Sequence, residues 1–199
     1  MKQSLLTILR NKKTSKEDFR KAANKLCSLI ASDASSFLSE EKISVETPLQ
    51  KGRGTKVIDN LILLPILRSG MVMLPAFLNL YETAKVGFMG IRRDEETALP
   101  HIYYENFPTI SKNDTIFVLD PMIATGGSTI ACLKKLEAYK ATLSNIFVVS
   151  LISSKPGVTL IKKTYPDVSL YSVSVDPSLN DKKFILPGLG DFGDRFFGT

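Results

Sequence analysis

A short apolar run, Thr115-Ile116-Phe117-Val118-Leu119, leads directly into Asp120-Pro121-Met122-Ile123-Ala124-Thr125-Gly126-Gly127-Ser128-Thr129. The pattern is a strand that delivers a carboxylate at its carboxyl end, then a loop of small residues that opens a helix. In an open α/β sheet that edge is where ligands bind. Gly126 and Gly127 let the backbone approach a ligand closely. N–H groups of the loop and first helical turn can then cradle a phosphate, with donors added by Thr125, Ser128 and Thr129. Asp120 is placed to accept hydrogen bonds from ribose hydroxyls. The loop has neither the Lys of G-x-x-x-x-G-K-[ST] nor the spacing G-x-G-x-x-G, so nucleoside triphosphatase and dinucleotide readings lose support. Gly, Ser and Thr also suit an ordinary strand-to-helix turn, and this segment alone leaves that reading open.

Two arginines follow strand-like runs. Arg68 stands in Pro65-Ile66-Leu67-Arg68-Ser69-Gly70, and Arg93 in Arg93-Asp94-Glu95-Glu96-Thr97, with Pro100 and Tyr103-Tyr104 after it. A planar guanidinium fork suits phosphate oxygens; a surface cation is the alternative. The chain closes on Ile185-Leu186-Pro187-Gly188-Leu189-Gly190-Asp191-Phe192-Gly193-Asp194-Arg195, with Phe197-Gly198-Thr199 at its end. So much Gly, with Pro187, does not form a regular helix or central strand cheaply. An ordered loop close to a ligand is expected there. With the Asp120–Ser128 loop, these segments resemble, in order, the uracil phosphoribosyltransferases of the type I phosphoribosyltransferase family. The resemblance spans roughly residues 57–199, and more weakly the helix before them. The closing Pro187–Asp191 stretch is the specific part, since phosphoribosyltransferases in general do not share it.

The resemblance implies a parallel α/β sheet with helices on both faces and a C-terminal loop hood over the base site. It implies transfer of a phosphoribosyl group from phosphoribosyl diphosphate to uracil, giving UMP and diphosphate. Arg68 and Arg93 align with the family's diphosphate-binding arginines, and residues Asp120 to Ser128 with its ribose and 5′-phosphate contacts. Uracil contacts map onto Ile185, Gly190, Asp191 and Phe192, largely through main-chain groups. Asp191 also matches an Asp near the ribosyl diphosphate; with Arg93 it forms the expected catalytic pair, although Gly-Asp-x-Gly is also ordinary turn chemistry. Mg²⁺ carried with the diphosphate, a homodimer or higher homo-oligomer and a cytoplasmic setting are implied too, with no nucleic-acid or membrane partner. Several residues depart from the family pattern. Phe192 stands where Ala is usual and Arg92 where Tyr is usual. Met71-Val72-Met73-Leu74-Pro75 replaces the usual continuation after Gly70, and the family's opening His-Pro segment has no counterpart, which leaves GTP binding at an activator site open. Phe192 keeps a phosphoribosyltransferase for another base open, and the basic N-terminal quarter a UMP-sensing, RNA-binding regulator.

The elements that must position these residues follow from the apolar pattern. The chain has 199 residues, 44% of them hydrophobic, enough to bury an ordinary core as a single domain. Its longest apolar runs fall short of the roughly 20 residues a membrane-spanning helix needs. The net charge of +6 comes wholly from residues 1–56, which hold 12 Lys and Arg against 6 Asp and Glu; residues 1–56 read as a helical, basic segment and 176–199 as the base-binding hood and tail. Cys27 and Cys132 lie among apolar neighbours and read as buried thiols, and with His101 the one histidine, a dedicated zinc or iron site is not expected. Thr14 and Glu17 have capping-box spacing, predicting a helix that runs to about Leu38. Residues 46–56 read as an exposed connection or hairpin tip. Strands are then expected at Val57–Leu67, Lys85–Ile91, Thr115–Leu119, Ile146–Ile152 and Val168–Val175, alternating with helices at Met71–Tyr81, Thr129–Tyr139 and Val158–Lys163. Alternation of this kind argues for a parallel sheet covered on both faces.

Overall fold

The computed structural model describes residues 1–93 and 100–199, Arg93 through its main chain alone. It opens with α1 (Lys2–Arg10) and α2 (Lys16–Ala34), which bury Leu5, Leu6 and Leu9 with Phe19, Ala23, Leu26 and Ile30. The cap of α2 lies one residue beyond the expected one. Ser15 Oγ accepts the Asp18 N–H at 3.1 Å, while Thr14 Oγ1 donates to the Ile8 carbonyl at 2.7 Å. Thr14 is thus spent on tying α2 back to α1, and Asp18 takes the third helical position, where the helix dipole favours an acid. A single 3-10 turn, Ser35–Phe37, ends α2 short of Leu38. A two-stranded antiparallel hairpin follows, β1 (Glu40–Glu46) with β2 (Lys51–Val57). Its tip is narrower than the sequence suggests: the Thr47 N–H and Oγ1 both donate to the Gln50 carbonyl, closing the turn over Thr47–Gln50.

The remaining elements are β3 (Asn60–Leu67), α3 (Leu74–Leu80), β4 (Lys85–Val86), β5 (Phe88–Arg93), β6 (Pro100–Asn106), β7 (Asp114–Leu119), β8 (Met122–Ile123), α4 (Gly127–Ala138), β9 (Ile146–Ser154), α5 (Lys155–Thr164), β10 (Ser169–Asp176), β11 (Ser178–Leu179), β12 (Ile185–Leu186) and α6 (Phe192–Phe197). The main sheet runs β10-β9-β7-β3-β5-β6, with β4 beside β3 and β8 beside β9. Its pairings are parallel except at the edge, where β6 is antiparallel to β5. Strand β7 is buried at every position, as a central parallel strand should be. Alternate residues divide two cores. Leu61, Leu63, Phe117 and Leu119 face α1, α2, α3 and α6; Ile62, Leu64, Ile116 and Val118 face α4 and α5.

Three details differ from the expectations. The predicted Met71–Tyr81 helix is a 3-10 turn, Ser69–Val72, followed by α3, because Pro75 lacks an N–H and fits only the first helical turn. Strand β6 is unanticipated; its alternating, mostly exposed residues carry no continuous apolar signal. The glycine-rich tail does form a short helix, α6: Asp191 Oδ1 caps it by accepting the Asp194 N–H at 2.9 Å, and Phe192 and Phe196 stack one turn apart. No helix among the described residues is long and apolar enough to cross a membrane.

Candidate functional site

The carboxyl ends of β3, β5 and β7 deliver Arg68, Arg92 and Asp120 to one cavity of about 850 Å³. The loop after β7 adds Met122, Ala124 and Ser128 to its wall. The C-terminal stretch covers it with Ile185, Gly190, Asp191 and Phe192. The small-residue loop and the glycine-rich tail, distant in sequence, therefore border one space.

The loop is stitched to the neighbouring strand. Asp120 donates its N–H to the Val149 carbonyl at 3.1 Å, and the Pro121 carbonyl accepts the N–H groups of Leu151 and Ile152 at 3.2 and 3.1 Å. Ser154 Oγ donates to the Ala124 carbonyl at 2.5 Å and accepts the Gly157 N–H at 2.9 Å, locking the loop to the start of α5. Gly126, the residue before α4, has φ +83, and a Cβ there would stand 3.0 Å from the Gly157 carbonyl oxygen. Both the left-handed backbone and the close approach call for glycine. The Ile130 N–H bonds the Gly126 carbonyl at 2.9 Å, leaving the Ser128 and Thr129 N–H groups at the open, positive end of α4. Of the residues singled out in this loop, Asp120, Met122, Ala124 and Ser128 reach the cavity wall. Ile123 is buried in the core, Thr125 Oγ1 accepts the Gly127 N–H at 3.3 Å, and Pro121, Gly126 and Gly127 shape the turn from behind.

Arg68 begins the Ser69–Val72 turn, its carbonyl accepting the Met71 N–H at 3.1 Å. Arg93 ends β5 opposite Pro100; its side chain and the Asp94-Glu95-Glu96-Thr97 segment lie outside the described residues. Arg92 pairs across the strands with His101. Ile91 and Ile102, the neighbouring pair, pack into the α4–α5 core, so Arg92 and His101 share the opposite face and border the cavity. Among the described residues no ion pair or side-chain hydrogen bond engages Arg68 or Arg92, which leaves two guanidinium groups for an anionic ligand. Lys183 and Tyr103 also border the space. In the sequence Arg92 stands out only as a departure from the family pattern, and His101, Lys183 and Tyr103 carry no site signal of their own. The two-residue periodicity that puts Arg92 and His101 on one face becomes readable only once β6 is known as the partner of β5.

At the covering wall, Asp191 is exposed and spends Oδ1 on capping α6. Phe192 borders the cavity, but its ring is 1% exposed and packs 5.5 Å from the Phe19 ring and 5.9 Å from that of Phe196. The bulk that stood out in the sequence is thus absorbed by α2 and α6. Among the described residues no group of three or more His, Cys, Asp or Glu side chains could hold a metal ion.

The family profile described as Uracil phosphoribosyltransferase matches residues 1–199. A uracil phosphoribosyltransferase of Fervidobacterium nodosum is 42% identical over 195 residues, covering 98% of this chain and 93% of that one. One of Dictyoglomus thermophilum is 41% identical over 199 residues, covering 99% and 95%. Among solved structures, a protein of Aquifex aeolicus superposes with a TM-score of 0.90 at 33% identity, covering 100% of this chain and 94% of its own. A purine phosphoribosyltransferase of Pyrococcus horikoshii gives a TM-score of 0.54 at 10% identity over 78% of this chain and 84% of its own, a likeness of fold alone.

Proposed function

The chain belongs to the uracil phosphoribosyltransferase family, and from that premise we propose how its own residues make UMP and diphosphate from uracil and phosphoribosyl diphosphate. One observation carries the assignment: the Asp120–Ser128 loop and the Ile185–Phe192 stretch border a single cavity of nucleotide size. Ser128, Met122, Ala124 and the first N–H groups of α4 hold the 5′-phosphate, on a turn shaped by Pro121, Ile123, Thr125, Gly126 and Gly127. Asp120 accepts from the ribose hydroxyls. Arg68 and Arg93 hold the diphosphate, and Arg92 adds charge to the same wall.

Main-chain groups of Ile185, Gly190, Asp191 and Phe192 read the uracil edge, which alternates carbonyl acceptors with an N–H donor. Cytosine places an amino donor where uracil has a carbonyl, so the same backbone would leave groups unpaired. In the reaction uracil N1 bonds to the anomeric carbon while the carbon–oxygen bond to diphosphate breaks, the electron pair leaving with the diphosphate. Positive charge develops on the sugar, and the N1 proton must depart. With Oδ1 of Asp191 taken by the cap, Oδ2 either stabilises that charge or takes the proton through a water.

The donor set fits an ion that arrives on the substrate, because the cavity carboxylates Asp120, Asp191 and Asp194 are dispersed hard oxygen donors and form no cage. Asp120 would hold the water shell of a Mg²⁺ ion, which when bound neutralises charge on the diphosphate. A cytoplasmic homo-oligomer is the setting we propose, on the strength of the family.

The test is incubation of the chain with radiolabelled uracil, phosphoribosyl diphosphate and Mg²⁺. Labelled UMP is expected, and Asp120→Asn should lower turnover or phosphoribosyl diphosphate affinity strongly. Asp120→Asn at wild-type activity would overturn the ribose assignment. No UMP, with salt-dependent RNA binding instead, would favour a regulator; UMP-like product from another base alone would favour a different phosphoribosyltransferase. With its ring in the core, Phe192 no longer argues for the latter.

A further inference from the structure

The stretch that borders the base end of the cavity is held from behind by residues the proposed mechanism does not use. Both main-chain groups of Gly188 are engaged. Its N–H donates to Asp176 Oδ2 at 2.9 Å, and its carbonyl accepts from Arg10 Nη1 at 2.8 Å. The Arg10 guanidinium also forks onto the two oxygens of Asp176, each at 2.6 Å, and reaches Ser174 Oγ at 3.1 Å. Ser174 in turn donates to Asp176 Oδ1 at 3.0 Å. One residue on, the Leu189 carbonyl accepts from Arg195 Nη1 at 2.7 Å. Arg195 also donates to the carbonyls of Leu9 and Asn11, and lies 4.4 Å over the Phe19 ring. The opening helix thus holds the loop directly at Gly188, and through Arg195 of α6 at Leu189, immediately before Gly190 and Asp191 reach the cavity wall.

A carboxylate only 4% exposed, like that of Asp176, is costly to bury unless its oxygens are fully engaged. Here they are, by a guanidinium fork, a hydroxyl and an amide. The shape of the loop needs such a hold. Gly188 has φ +60, and a Cβ there would stand 2.1 Å from the Ile185 carbonyl oxygen, so the chain turns back sharply on itself. Recognition by main-chain groups demands that the backbone stay in place, and a displacement of about 1 Å can cost on the order of a hundredfold in an oriented site. The phosphate-holding loop gets its fixity elsewhere, from β9 and α5.

Resting on the uracil phosphoribosyltransferase reading, we infer that Arg10, acting through Asp176 and Gly188, is a positioning residue that sets affinity for the base and leaves affinity for phosphoribosyl diphosphate nearly unchanged. The opening helix is in this sense part of the base site without touching the base. Lys2 supplies the control. It ties the same helix to Asp33 on α2 at 2.5 Å and to Tyr171 Oη on β10 at 3.2 Å, and among the described residues none of its hydrogen bonds reaches the hood loop.

The experiment is steady-state kinetics on wild type, Arg10→Met, Arg10→Lys and Lys2→Met, with circular dichroism to confirm folding. Arg10→Met should raise KM for uracil by about tenfold or more and KM for phosphoribosyl diphosphate by less than about twofold. Arg10→Lys keeps the charge but loses the fork, and should fall between. Lys2→Met should leave both constants near wild type. Should Arg10→Met fail to fold, Arg10→Lys carries the same split at smaller size. A folded Arg10 variant with unmoved uracil KM, an equal rise in both constants, or a matching effect of Lys2→Met overturns the inference. A wild-type chain that forms no UMP overturns the reading beneath it, a result distinguishable from each of those.

Discussion

Phe192 separates two ways a bulky residue can sit beside a ligand. Phe192 is one of the residues lining the cavity, yet it is only 1% exposed and its ring packs against those of Phe19 and Phe196. Truncation therefore empties a packed site in the core and leaves the base pocket as it was. Phe192→Ala should cost roughly 3–5 kcal/mol of stability, read as a fall in the thermal midpoint, with the preference for uracil over other bases retained. A raised uracil turnover at unchanged midpoint would show that the ring crowds the base instead. Residue types were legible in the sequence: an acid after a strand, small residues before a helix, arginines after strands. Side-chain directions were not. The ring of Phe192 is aimed by Phe19 on α2, and Arg92 by its pairing with His101, and neither partner is a neighbour in sequence. Asp191 shows a further limit, since one residue both caps α6, as the turn reading of Gly-Asp-x-Gly expects, and borders the cavity, so the sequence alone does not divide the two readings.

Elements carry the precision of the site, and two of them can be perturbed selectively. At the start of α4, Gly126→Ala would force a left-handed backbone on a residue with a Cβ, at about 1–2 kcal/mol, and press a methyl group toward Gly157. The loop must then part from α5. KM for phosphoribosyl diphosphate should rise several-fold and KM for uracil less; the reverse order would mean that this turn does not hold the phosphate end. At the end of β10, burial alone would raise the Asp176 carboxyl, but hydrogen bonds from Arg10, Gly188 N–H and Ser174 outweigh it and hold it below the usual carboxylate range. A depressed carboxyl stabilises the fold above its unfolded value of about 3.9, and that contribution is lost as the pH falls through the lower folded value. Melting curves should therefore show this share of stability intact from neutral pH to about pH 4 and lost below it. Asp176→Asn should flatten that acid limb, and an unchanged limb would place the acid sensitivity elsewhere. The buried strands were legible because continuous apolar runs announce them. Helix α1 and strand β6 were not, since one is short and basic at its end and the other alternates exposed residues at an edge.

Across the whole molecule the two cysteines report on opposite layers. Cys27 lies in the core shared by α1, α2, α3 and α6, and Cys132 in the core under α4 and α5. Burial pushes the Cys27 thiol up to about 12. Burial raises Cys132 as well, with the charges of Asp120 and Glu105 adding to it. Thiolate is the reactive form, so neither group should react with a disulfide reagent until its layer opens. The layers share one sheet whose strands send alternate residues to each side, so stripping either one exposes half the apolar surface of β3, β7 and β9. Opening should then be a single cooperative event, with both thiols labelled at the same rate and with the same denaturant dependence. Phosphoribosyl diphosphate with Mg²⁺, at a hundred times its Kd, should slow both by on the order of a hundredfold, because it binds only the closed chain. Labelling of Cys27 while Cys132 stays protected would mean that the layer of α1, α2, α3 and α6 peels away alone. The hood, which is anchored to α1 through Arg10 and Arg195, would then open with it, and the base end of the cavity would have a stability separate from that of the phosphate end.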